Sequence, residues 1–149
     1  MNETTLNWAP QVQTDSAALY LNPPSQPAKI LVVDDEEEIR ELIRETLQVG
    51  NFEVLESATG EEAWKTILDN PPDLVLLDIL LPGKMDGLEV CSRMKTYPVS
   101  RDIPVIFITA VPLSQLNGKE MKAEGVFIKP FSPIELLDQV FRTLGRADA

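Results

Sequence analysis

Apolar residues recur along this chain as short runs separated by segments of helical period. Ile30-Leu31-Val32-Val33, Phe52-Glu53-Val54-Leu55, Leu74-Val75-Leu76-Leu77, Val105-Ile106-Phe107-Ile108 and Val126-Phe127-Ile128 are five candidate strands. Three of these runs are apolar without alternation, the pattern expected of strands covered on both faces of a parallel sheet. The segments between and after the strands carry apolar stripes at helical spacing. These stripes are Ile39, Leu42, Ile43 and Leu47; Ala63, Trp64, Ile67 and Leu68; Leu88, Cys91 and Met94; and Ile134, Leu137, Val140, Phe141 and Leu144. Thr59 with Glu62 and Ser132 with Glu135 have capping-box spacing, and Pro133 suits a first helical position. The stretch from Leu113 to Glu124 is a poorer helix, because Asn117-Gly118 in its middle lowers helix stability by roughly 1 kcal/mol or more against alanine. The fourth connection should therefore be short or mobile. Strands joined by right-handed helical crossovers predict an α/β fold: a doubly wound, five-stranded parallel sheet in a three-layer sandwich.

Residues 1–28 differ from the rest, with no lysine or arginine and with Pro10, Pro23, Pro24 and Pro27. They read as a flexible N-terminal extension and linker, and residues 29–149 as the single folded domain. Leu6, Trp8, Leu19, Tyr20 and Leu21 are more apolar bulk than a spacer needs, so docking on the domain or on a partner is the alternative.

Composition narrows the chemistry. A chain of 149 residues, 44% of them apolar, can bury a core without disulfides or structural metal. Its 24 acids, 13 bases and net charge of -11 have the wrong sign for binding a phosphate backbone. Direct nucleic-acid contact is not expected. With no histidine, imidazole-dependent triads, histidine-ligated zinc and an imidazole pH switch are excluded. The single cysteine, Cys91, fits a reducing compartment. There is neither an apolar run of about 18 residues nor a signal-peptide pattern at the start. A cytoplasmic, membrane-free protein is the expectation.

In sheets of this kind, ligands bind beyond the carboxyl ends of the strands. After the first run come Asp34 and Asp35, after the third Asp78, after the fourth Thr109, and after the fifth Lys129 and Pro130. Singly, each has a plainer explanation: acids at a helix start, a turn aspartate, a β-branched strand residue, an exposed lysine. With strand order 2-1-3-4-5 they converge, and phosphoryl transfer to a carboxylate is one mechanism that uses all of them. Three close carboxylates repel one another, and a hard divalent cation such as Mg²⁺ offsets that repulsion. An ordinary aspartate, with a pKa of about 3.9, is ionised at neutral pH and needs no general base to attack phosphorus.

These residues resemble the response-regulator receiver family of two-component signalling over nearly all of residues 29–149. The pattern reads Ile30-Leu31-Val32-Val33-Asp34-Asp35-Glu36, Leu76-Leu77-Asp78 with Pro82 and Asp86-Gly87, Ile108-Thr109-Ala110, and Lys129-Pro130-Phe131. The resemblance implies a flavodoxin- and CheY-like fold with Asp78 as phosphoacceptor. It also implies Mg²⁺ on Asp35, Asp78 and the Leu80 carbonyl, with Asp34 acting partly through water. Thr109 would be the switch hydroxyl, Lys129 the phosphate partner, and the Lys129-Pro130 bond cis. The implied protein is no enzyme in the ordinary sense, catalysing only its own phosphorylation and dephosphorylation. Its expected partners are a histidine kinase or phosphotransfer protein and a downstream protein target. It would act as a monomer or a phosphorylation-dependent dimer.

This chain departs from the family pattern in several places. Gly83-Lys84-Met85 adds a residue to the turn before Asp86, which should alter that loop but spare metal binding. The Thr109 to Lys129 interval is about two residues short, which places the usual output face in question. Val126 stands where receivers often carry an aromatic, and alternation turns Phe127 toward the core. The usual coupling between threonine and aromatic would then be absent or rewired. Leu80 and Val111, neither able to hydrogen-bond a hydrolytic water, imply a long-lived acyl phosphate. Other readings are a phosphorylation-independent interaction module, a receiver fragment of a longer regulator, and an aspartyl-phosphate phosphohydrolase. The last fits poorly, because its fold wants an Asp-x-Asp nucleophile after the first strand. Trp64 and Cys91 should be core, and Leu136 and Phe131 close the core sooner than they form an exposed patch.

Overall fold

The computed structural model describes residues 27–116 and 122–145. The proposed N-terminal extension, apart from its last two residues, and the Asn117-Gly118 pair lie outside these. The strands are β1 (Ala28–Val33), β2 (Phe52–Ser57), β3 (Leu74–Leu77), β4 (Val105–Thr109) and β5 (Gly125–Ile128). The helices are α1 (Glu37–Leu47), α2 (Gly60–Asp69), α3 (Gly87–Thr96) and α4 (Pro133–Thr143). All strand pairings are parallel, in the order β2-β1-β3-β4-β5. The doubly wound sheet read from the sequence is therefore present, with β1 starting at Ala28, one residue before the expected boundary.

Alternation sorts the central strands onto two cores. Leu31, Val33, Val75, Leu77, Val105 and Phe107 point to the face covered by Ala63, Trp64 and Ile67 of α2 and by Val90, Cys91 and Met94 of α3. Ile30, Val32, Leu74, Leu76, Ile106 and Ile108 point to the other face, against Ile43 and Leu47 of α1 and Leu136 and Val140 of α4. β3 and β4 are buried at every residue, whereas the edge strand β5 is half-buried throughout. Each large apolar side chain buried this way contributes about 1.5–3 kcal/mol.

The helix caps follow the residues named for them. Thr59 accepts from Glu62 N–H at 3.1 Å and Ser132 from Glu135 N–H at 3.2 Å, while Asp86 caps α3 through Glu89 N–H at 2.9 Å. Some stripe residues were misplaced. Leu42, Leu68 and Leu88 are 38–42% exposed and Ile134 is 79% exposed. Helix α3 buries Gly87, Val90, Cys91 and Met94 instead, a face at spacings of three and four residues to which Leu88 is only the rim. Ile134 sits in the first turn of α4, and Leu136, absent from the predicted stripe, is fully buried. Trp64 and Cys91 are buried as expected, and Trp64 meets Tyr97 edge-on at 5.0 Å.

The fourth connection is the irregular one. Among the described residues no α-helix joins β4 to β5, only a 3₁₀ turn over Leu113–Gln115. Phe127 packs with the α1 and α4 core and Val126 with the α2 and α3 core, the opposite orientations predicted from alternation.

Glycine is required where α3 starts. A Cβ on Gly87 would stand 2.0 Å from the Asp78 carbonyl oxygen and 2.7 Å from Ile79 Cα, both backbone atoms that cannot swing aside. Gly87→Ala is expected to lower stability by about 2 kcal/mol, read as a lower urea midpoint. An unchanged midpoint would mean that the loop after β3 yields without loss.

Candidate functional site

The sheet brings the predicted groups to one edge. Val33 pairs with Leu77, and the ladder runs one residue further through Asp78 N–H to the Val33 carbonyl at 2.9 Å. Asp34 and Asp78 therefore emerge side by side. Thr109 pairs with Ile128, and Lys129 N–H donates to the Thr109 carbonyl at 2.8 Å, so the lysine starts from a fixed root. The Lys129-Pro130 peptide is cis, as the resemblance implied.

Lys129 Nζ lies 2.8 Å from Asp34 Oδ2, 2.9 Å from Glu36 Oε1 and 3.0 Å from Asp78 Oδ2. Asp34 and Asp78 are buried, at 1% and 4% exposure. Asp34 Oδ1 accepts from Glu36 N–H at 2.9 Å, and Asp78 Oδ1 accepts from Leu80 N–H at 3.2 Å. Asp35 is exposed and lines a cleft of about 540 Å³ with Glu36, Asp78, Leu80, Ala110 and Lys129. Thr109 is fully buried, and its Oγ1 accepts from Val111 N–H at 3.2 Å.

Electrostatics set the two central groups in tension. Burial alone would lower the Lys129 pKa, but its bonds to Asp34, Glu36 and Asp78 outweigh that and hold the ammonium above the ordinary lysine range. Burial also pushes the Asp34 carboxyl up, reinforced by the charge of Asp78, and the contacts with Lys129 and Glu36 N–H offset this only in part. The site is short of positive charge.

The donor set fits a hard cation. Carboxylate oxygens of Asp34, Asp35 and Asp78 lie within 4.8 Å of one another. Asp34 Oδ2 is buried without a well-directed hydrogen-bond donor, its contact with Lys129 being an ion pair rather than an aligned hydrogen bond. All-oxygen carboxylate ligation suits Mg²⁺ or Ca²⁺ and disfavours softer metals.

Two supporting residues escaped the sequence reading. Glu36 was read as part of a motif, not as a contact of Lys129. Arg40 donates from Nη1 to the Asp34 carbonyl at 2.8 Å and from Nε to Glu56 at 2.9 Å. Burial works against the charge of Glu56, yet hydrogen bonds from Arg40 and Arg44 prevail and hold its carboxyl below the usual range. Arg40 lies one helical turn beyond Glu36, a spacing visible in the sequence, but its target is a backbone oxygen, which side-chain patterns do not reveal. The loop with the added residue is clipped to α2: Lys84 N–H donates to Glu61 Oε2 at 2.9 Å, and Met85 is buried.

Comparison with known proteins agrees with this geometry. The family model of the response regulator receiver domain matches residues 30–141. The chain is 41% identical over 125 residues to the phosphate regulon transcriptional regulatory protein PhoB of Pseudomonas aeruginosa, covering 80% of this chain and 54% of that protein. It is 38% identical over 122 residues to the alkaline phosphatase synthesis transcriptional regulatory protein PhoP of Bacillus subtilis, covering 80% and 50%. The chain thus spans about half the length of these relatives. Among solved structures, the chemotaxis response regulator CheY4 of Vibrio cholerae superposes with a TM-score of 0.71 at 31% identity, covering 78% of this chain and 98% of that one. A parallel sheet in this order, with acids, threonine and lysine at its carboxyl edge, defines a CheY-like α/β domain. The chain belongs to the response-regulator receiver family of two-component signalling.

Proposed function

We propose that this receiver accepts a phosphoryl group on Asp78 from a histidine kinase or phosphotransfer protein, in a Mg²⁺-dependent reaction. One observation supports this most directly: Asp78 is buried beside Asp34, bonded to Lys129 and Leu80 N–H, and still lines an open cleft. An Asp78 carboxylate oxygen attacks phosphorus and forms an acyl phosphate as the phosphorus–nitrogen bond of a phosphohistidine breaks. Lys129 pairs with one phosphoryl oxygen. Thr109, whose Oγ1 accepts from Val111 N–H, keeps its own hydroxyl proton for another. Asp34, Asp35 and Asp78, with the Leu80 carbonyl, would hold Mg²⁺, which supplies positive charge to the phosphoryl oxygens when bound.

Phosphorylation then shifts a two-state equilibrium and changes protein contacts, or the group is relayed onward. The chain would act as a signalling domain, its catalysis confined to its own phosphorylation and dephosphorylation. Its direct partners would be a kinase and a protein target; within a longer regulator, the names of its relatives point to transcription as the output. A cytoplasmic setting is part of this proposal; no described helix is long and apolar enough to cross a membrane.

The test is the intact mass after incubation with acetyl phosphate, with and without Mg²⁺, beside Asp78→Asn. The expected result is a Mg²⁺-dependent phospho-adduct that the variant lacks. No adduct from acetyl phosphate or from a phosphorylated kinase, together with no Mg²⁺ binding, would favour a phosphorylation-independent interaction module instead.

A further inference from the structure

An ammonium has three N–H donors, and three carboxylates surround that of Lys129 at 2.8–3.0 Å. Two of them, Asp34 and Asp78, belong to the acidic cluster suited to a cation. The third, Glu36, does not. It occupies the N-cap position of α1 with extended backbone, where a short side chain such as Asp or Ser would accept from the helix's own first N–H groups, and its longer side chain makes no cap bond. Its carboxylate reaches across to Lys129, 93 residues away in sequence. Glu36 N–H is meanwhile held by Asp34 Oδ1, so the backbone bearing this carboxylate is fixed by the site itself.

Resting on the phosphoacceptor reading above, we infer that Glu36 is a latch on Lys129, a positioning residue that holds the ammonium in the unphosphorylated site and releases it when a phosphoryl group arrives. Lys129 cannot turn to a phosphoryl oxygen while three carboxylates hold its ammonium, Glu36 and Asp78 by hydrogen bonds and Asp34 by an ion pair. Releasing Asp34 would leave a buried charge unpaired, which is strongly unfavourable. Asp78 is where the phosphoryl group forms. Glu36 has a side chain 58% exposed, so water takes over its hydrogen bonds on release and little is lost. Until release, the latch reduces the supply of lysine to the reacting group and sets a negative charge beside an anionic donor. Wild-type phosphorylation is correspondingly slower than the site would otherwise permit.

The experiment compares initial rates of phosphorylation by acetyl phosphate in saturating Mg²⁺ for the wild-type chain, Glu36→Gln and Glu37→Gln. Glu37 is an exposed acid in the same first turn and controls for the local field. Glu36→Gln is expected to be about 1.5- to fivefold faster, the span of an exposed ion pair. Glu37→Gln should stay near wild type, and the excess for Glu36→Gln should fade in about 1 M salt as screening weakens the latch. Equal rates for wild type and Glu36→Gln would overturn the latch alone, as would equal acceleration by Glu37→Gln, which would make the effect one of field. No adduct in any of the three proteins would sink the phosphoacceptor reading and the latch together.

Discussion

Replacing Lys129 with methionine is expected to lower the unfolding free energy of the metal-free protein by about 3 kcal/mol, the scale for removing one partner from a buried charge cluster. Methionine keeps most of the stem's bulk, so the loss reports charge and not a cavity. Lys129 is 13% exposed and stands against two carboxylates that are almost completely buried. Glu36, half-exposed, adds little. Urea unfolding with and without Mg²⁺ checks this: the deficit should shrink in Mg²⁺, because a bound cation neutralises the same acids. An unchanged midpoint without metal would show that water penetrates the cluster more than its burial indicates. The pH dependence has a definite sign. The folded pKa of Lys129 lies above the ordinary lysine value, so its contribution is fully present below about pH 10 and fades only as pH rises through the folded value.

Asp34→Asn is expected to act in the opposite direction on stability while removing the cation site. Burial raises the folded pKa of Asp34 above its ordinary value, so the folded protein binds that proton more tightly than the unfolded chain does. Ionisation at neutral pH therefore costs folding free energy, and the cost is relieved as pH falls through the raised folded value toward the unfolded one. Asparagine abolishes it, and its Oδ1 still accepts from Glu36 N–H, while its amide N–H groups face Lys129 and forfeit that one contact. The variant should be about 1 kcal/mol more stable than wild type at neutral pH without metal, as expected where function maintains like charges together. Its Mg²⁺ affinity should fall at least tenfold or so with the loss of a carboxylate. Calorimetric titration and urea unfolding read the two effects separately. A less stable variant would mean that the ion pair with Lys129 outweighs desolvation.

Most of the fold was legible because its signals are local. The uninterrupted apolar runs at β1, β3 and β4 can be satisfied only by burial on both faces, and the caps at Thr59 and Ser132 mark helix starts within a few residues. Errors fell at the margins of helix faces. Leu88 and Ile134 have the right side chain for a core, but which rim residue is covered depends on the axial rotation and position of the helix over the sheet. The exchange of Ile134 for Leu136 shows how one or two residues of drift change the assignment. The fourth connection was marked as weak by Asn117-Gly118, and only a 3₁₀ turn stands there among the described residues.

The candidate site divides along the same line. Asp34, Asp35, Asp78, Thr109 and Lys129 were identifiable from the residues that follow each apolar run, because a parallel sheet delivers strand ends to one edge whatever the loops do. Composition alone excluded imidazole chemistry and left carboxylates, hydroxyl and lysine. What only the tertiary structure decided was the pairing: that Lys129 engages three acids at once, that Glu36 turns from its helix to join them, and that Arg40 braces the Asp34 carbonyl. Residue type and spacing specify which groups reach the edge of a sheet. The partition of three donors among four nearby carboxylates depends instead on burial and on directions in space, and those exist only once β1, β3 and β5 lie side by side.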